Sequence, residues 1–276
     1  MTMTMQKMPN IKHIVAVASG KGGVGKSTTA ANLAIALVKE GARAGILDAD
    51  IYGPSQPTML GVKTPPEIKD QKTVQPVIAH GVQSMSIGYL IKENTPMVWR
   101  GPMVSMALQQ LLHDTHWDNL DYLIIDLPPG TGDIQLTLAQ KIPVDGAIIV
   151  TTPQDLALLD AKRASEMFQK VHVPILGVVE NMSVHICPKC QHEEAIFGEG
   201  GGKLLAEKYA LELLGSLPLD IKIREQTDSG NPTVSANPKS HNATIYRKIA
   251  KKVMEKLLLR EKESLVKFPH ITIQND

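Results

Sequence analysis

Gly20, Gly25, Lys26 and Ser27 satisfy the spacing G-x-x-x-x-G-K-[ST], between an apolar β-rich run at 13–18 and a stretch at 27–40. In that stretch Ala30, Leu33, Ala34, Leu37 and Val38 recur at helical spacing, and Gly41 follows where a C-cap glycine belongs. A strand that enters a helix through a glycine-rich turn of this length leaves few layouts open to the rest of the chain. Helix and strand must alternate, with the turn at the carboxyl end of a sheet.

The remaining sequence keeps that alternation. Apolar runs at 44–47, 85–87, 122–125, 146–150, 175–179 and 213–217 predict strands, and several are continuous rather than alternating, as in parallel strands buried on both faces. Helical patterns fall at 103–113, 134–141, 156–171, 202–209 and 242–259. The expected fold is α/β, doubly wound around a mainly parallel sheet with helices on both faces. The proline-rich segment 52–76 reads as surface loops with one short helix at 57–60. One domain is expected at 11–260, between a disordered tail at 1–10 and a C-terminal tail at 261–276.

Composition narrows the function classes. Formal net charge over 276 residues is +1, so the whole chain offers no field for nucleic acid, and 4% aromatic residues leave little for base stacking. No apolar run approaches the roughly 20 residues that span a bilayer, and the first ten residues lack the apolar core of a secretory signal. Two cysteines in total argue for a reducing compartment, hence a cytoplasmic protein. The last helix places Ile245, Ile249, Val253, Met254 and Leu257 opposite a lysine- and arginine-rich face. Packing on the domain is the expected role of that apolar face, and attachment to a membrane surface the alternative.

The glycine-rich turn forms an anion nest of backbone N–H groups, to which the helix start adds the positive end of its dipole. Gly20, Lys21, Gly22, Gly23, Val24, Gly25, Lys26, Ser27 and Thr28 are the expected ATP-binding stretch. Lys26 neutralises the β- and γ-phosphates, and the Ser27 hydroxyl ligates Mg²⁺. Asp48 and Asp50 follow the second strand, where alternation turns both to one side, and Asp126 ends the fourth. Carboxylates there suit a magnesium shell and an attacking water. Pro128-Pro129-Gly130-Thr131-Gly132-Asp133 follows at once and reads as a switch in which Gly130 offers its N–H to a γ-phosphate. Asn181 ends the sixth strand, where its amide suits an adenine edge, and Pro218 after the seventh strand is a further base-pocket residue.

Cys187-Pro188-Lys189-Cys190 admits three readings from its residues: a redox disulfide, half of a zinc site completed by His185 or His192, or half of a site shared across a two-fold axis.

Lys21 to Ser27 match K-G-G-x-G-K-[ST], and the chain resembles the deviant Walker A group of P-loop ATPases. The stretches 48–55 and 117–133 are similar to its Mrp/NBP35 (ApbC-like) branch, the iron–sulfur cluster carrier proteins. The resemblance extends over 11–260. It implies that Lys21 reaches a partner's nucleotide across a homodimer, that Asp50 activates water, and that Asp48 serves the Mg²⁺ shell. It also implies that Cys187 and Cys190 bridge a [4Fe–4S] cluster between subunits for delivery to apo iron–sulfur proteins, with a cluster-assembly scaffold as a further partner. Catalysis would then rest on Lys21, Lys26 and Asp50. The rivals are a MinD- or ParA-like positioning ATPase and a zinc-binding P-loop ATPase.

Overall fold

The computed structural model describes residues 8–69, 72–91 and 101–266. Most of the two expected tails, 1–7 and 267–276, lies outside these residues. The chain runs β1 (Ile11–Ala18), α1 (Lys26–Lys39), β2 (Ala44–Asp48), α2 (Gln56–Met59), β3 (Ile68–Lys69), β4 (Thr73–Val74), β5 (Val77–Ala79) and β6 (Val82–Ser86). It continues with α3 (Gly101–Asp114), β7 (Leu120–Asp126), α4 (Asp133–Lys141), β8 (Gly146–Thr151), α5 (Asp155–Lys170) and β9 (Ile175–Glu180). Last come β10 (His185–Ile186), β11 (Glu193–Glu194), α6 (Gly201–Lys208), β12 (Leu213–Ser216), α7 (Ile221–Asp228), α8 (Thr233–Ala236) and α9 (His241–Val266).

Eight strands form one sheet in the order β12-β9-β8-β1-β7-β2-β6-β5. All neighbours are parallel except β5, which folds back antiparallel on β6 as an edge. The expected doubly wound sheet is therefore present. The expected strand at 85–87 begins earlier, at Val82, and Ile87 already turns into a short 3₁₀ segment. β3–β4 and β10–β11 are separate two-stranded ribbons, too short to leave a period in the sequence.

Alternation along β1 explains the two layers. Ile14, Ala16 and Ala18 point into a core roofed by α3, α4, α5 and α6, whereas Val15 and Val17 point into the opposite core under α1 and α9. In the second core Tyr246, Ile249, Val253 and Leu257 of α9 are buried with Leu33, Ala34 and Leu37 of α1. Burying each such large apolar side chain is worth roughly 1.5–3 kcal/mol. On the basic face of α9, Arg247 (2.5 Å) and Lys251 (3.2 Å) pair with Glu40, while Lys252 (2.8 Å) and Lys256 (3.0 Å) pair with Glu212. The apolar face is committed to the domain, as expected. Among the described residues no helix is long and apolar enough to cross a membrane.

Candidate functional site

Strand register brings the acidic residues together. Asp48 of β2 lies directly opposite Asp126 of β7 on one side and Ser86 of β6 on the other, at the carboxyl end of the sheet beside the β1–α1 turn. Both carboxylates are fully buried. Asp126 is held on both oxygens: Lys26 donates to Oδ1 at 2.5 Å, and Gln56 Nε2 donates to Oδ2 at 2.9 Å. Lys26 also reaches Ser27 Oγ at 3.1 Å. Three residues of the expected metal and phosphate set thus form one connected group.

Asp48 has a different environment. Its Oδ2 accepts from the Ser55 and Gln56 backbone N–H groups and from the Ser86 hydroxyl, each at 3.0 Å, and Oδ1 accepts from Asp50 N–H at 3.2 Å. Burial first, and the neighbouring Asp126 charge second, push its carboxyl up to about 7 against these donors. Asp48 therefore pins the loop that carries Asp50. Asp50 is half-buried and accepts from Gly53 N–H at 3.2 Å; burial raises its pKa, opposed by the Lys26 charge.

The glycines of the turn have specific reasons. A Cβ on Gly20 would lie 2.1 Å from the Asp160 carbonyl of α5, and one on Gly25 would lie 2.1 Å from Asn181 Nδ2. Gly25 also has φ +81, in the region that favours glycine, at the N-cap of α1. Asn181 is buried and donates its amide to the Val24 carbonyl at 2.9 Å. Pro218 follows β12, whose Ser216 pairs with Glu180, the residue before Asn181, so both residues leave the same end of the sheet. Gly22 and Gly23 are exposed, and Lys21 is half-buried and takes part in no ion pair among the described residues. Thr28, half-exposed, accepts on its carbonyl from Asn32. Gly130, at φ +101, donates its N–H to the Ser19 carbonyl at 3.0 Å, and Gln135 holds Pro129 O at 2.5 Å.

These residues suit the groups expected of them. Ser27 and Asp126 supply the hard oxygen donors that Mg²⁺ takes, and the nest is closed to any side chain at Gly25. Mg²⁺ held by Ser27 and Asp126 would supply positive charge against the charge that develops on the phosphates.

The cysteines sit on the β10–β11 hairpin, which begins four residues after Asn181. Ser183 N–H and Oγ both donate to Leu217 O, at 2.9 and 3.0 Å, and Leu219 N–H donates to Val184 O at 2.8 Å. These bonds tie the hairpin to the end of β12. Cys187 donates its N–H to His192 O and is half-buried; Cys190 is exposed; both are free thiols. Backbone N–H groups of Cys190 and Lys189 point at the Cys187 sulfur and lower its pKa. No group of three or more His, Cys, Asp or Glu side chains could hold a metal ion among the described residues. The local zinc shell with His185 or His192 is therefore not assembled.

Sequence reasoning missed Gln56, Ser86 and Gln135. None of the three carries a local signal in the sequence, because each acts through partners that folding brings to it.

The family model described as ParA, NUBPL iron-transfer P-loop NTPase, matches residues 10–254. An iron-sulfur cluster carrier protein of Pseudomonas fragi is 66% identical over 88% of this chain and 85% of its own length. The iron-sulfur cluster transfer protein NUBPL of Mus musculus is 49% identical over 90% of this chain and 78% of its own. Among solved structures, a nucleotide-binding protein from Archaeoglobus fulgidus in complex with ADP is 39% identical, with a TM-score of 0.71, over 80% of this chain and 87% of that one. The cell division ATPase MinD of Pyrococcus furiosus has a TM-score of 0.65 at 23% identity over 88% of this chain and 99% of that one, a likeness of fold alone. With the turn, the paired aspartates and the cysteine hairpin in place, the chain belongs to the NUBPL iron-transfer family of P-loop NTPases.

Proposed function

We propose that this chain is a homodimeric ATPase of the cytoplasm that carries a [4Fe–4S] cluster between subunits and delivers it to apo iron–sulfur proteins, receiving it from an assembly scaffold. The observation that carries the reading is the single stretch joining Asn181, bonded to the phosphate turn, to a hairpin whose two thiols fill only half of a four-thiolate shell. A second copy supplies the other half by symmetry. The names of the relatives support the iron–sulfur cargo and disfavour a positioning role.

In this reading Gly20 to Thr28 cradle the phosphates, Lys26 leaves Asp126 for the β- and γ-phosphates, and Lys21 reaches the partner's nucleotide. Ser27 and Asp126 hold Mg²⁺, supported by Asp48 through the loop it fixes. Asp50 accepts a proton from the water that attacks the γ-phosphorus as ADP leaves. Gly130 exchanges Ser19 O for a γ-phosphate oxygen, while Asn181 and Pro218 border the base.

Anaerobic reconstitution with iron and sulfide tests the cargo. We expect about four irons per dimer, the content of one cubane held by four thiolates, with loss of the brown absorbance in Cys187→Ala. Unchanged iron uptake in that variant would remove the cluster assignment.

A further inference from the structure

Gln56 is fully buried at the first residue of α2, a position from which it touches all three parts of the site. Its backbone N–H donates to Asp48 Oδ2 at 3.0 Å, and its side-chain Nε2 donates to Asp126 Oδ2 at 2.9 Å and to the Ser27 carbonyl at 3.1 Å. The amide can point only one way, because both neighbours of Nε2 are pure acceptors and a flipped Oε1 would face a carboxylate. Among the described residues Oε1 is buried and has no hydrogen-bond partner.

Lys26 and Gln56 divide Asp126 between them, but they are not equivalent. Lys26 is charged and, on the reading above, is drawn to phosphate. Gln56 is neutral, is anchored by its own backbone to Asp48, and holds Asp126 without cancelling the charge that a cation needs. We propose that Gln56 is a positioning residue for the magnesium site: it keeps the Asp126 carboxylate and the Ser27 backbone oriented once Lys26 has left. Its Oε1 is left as an acceptor for a donor arriving with the nucleotide.

The inference rests on the ATPase reading, and one titration series separates the two. Calorimetry of the full chain with ATP, first in EDTA and then in excess MgCl₂, gives the gain in affinity that Mg²⁺ confers. Gln56→Met keeps the length and removes the donors; Gln56→Glu keeps the shape and replaces the donors with acceptors. For both variants we expect EDTA affinity close to that of the unmodified chain and a melting temperature lowered by the two lost hydrogen bonds but still one cooperative transition, with the Mg²⁺-dependent gain reduced about 10–100-fold. An undiminished gain in a folded variant overturns the role of Gln56. Failure of both variants to fold overturns it equally, assigning the residue to the scaffold. An unmodified chain that gains nothing from Mg²⁺ sinks the ATPase reading itself.

Discussion

Replacing Gly25 by alanine tests whether the phosphate turn and Asn181 are one mechanical unit. The new Cβ would lie 2.1 Å from Asn181 Nδ2 and 3.3 Å from its Cγ, with backbone φ at +81. The dihedral alone costs roughly 1–2 kcal/mol for a residue with a Cβ. Asn181 must also swing away, breaking its 2.9 Å bond to the buried Val24 carbonyl. Leaving such an acceptor unpaired adds roughly 1–3 kcal/mol, for a total of about 2–5 kcal/mol. Asn181→Ala removes the same bond without the strain and costs only the second contribution. In the double variant that bond is lost once, so the combined effect falls short of the sum by about 1–3 kcal/mol. Equilibrium urea unfolding of the nucleotide-free chain and its three variants measures the difference. Additivity within about 0.5 kcal/mol would refute the coupling.

Stability of the nucleotide-free chain should fall as pH rises from about 4 to 7. The Asp48 carboxyl, ordinarily at 3.8, is pushed up to about 7, so its charged form is disfavoured in the fold and the full penalty is present only above 7. That penalty is on the order of 4 kcal/mol at most, and Asp48→Asn should flatten the slope measured by thermal melting at fixed ionic strength. Cys187, whose pKa is lowered by backbone N–H groups, should be alkylated by iodoacetamide at neutral pH before Cys190, with peptide mass mapping as the readout. Equal labelling rates would remove the asymmetry inferred for the hairpin.

The sheet and the phosphate turn were legible because they rest on local facts. Long apolar runs have no alternative to burial on both faces, and Gly25-Lys26-Ser27 must stand between strand and helix. Boundaries drifted where the cause was tertiary: α9 runs on to Val266 beyond the expected 259. Helix α7 buries only Ile223 and Thr227, too few for a helical period to show, although Asp220 caps it, its Oδ1 accepting from Lys222 N–H at 2.9 Å. The ribbons β3–β4 and β10–β11 have two residues per strand, too few for a period of two to show. Gln56 lay hidden for a different reason. In sequence it is one glutamine in a proline-rich loop, and its importance exists only when folding brings Asp126, seventy positions away, against its amide.

The place of β1 bears on how the chain reaches this state. Its two neighbours in the sheet, β7 and β8, begin at Leu120 and Gly146, and the helix that covers α1 begins at His241. During synthesis the segment that forms the phosphate turn emerges before β7, β8 and α9, the surfaces on which it packs. It must wait as an unpartnered apolar strand until long loops close, a topology that folds slowly and exposes adhesive segments on the way. A nascent chain stopped before α9 would present the α1 face uncovered, which makes α9 the seal on the nucleotide half of the molecule.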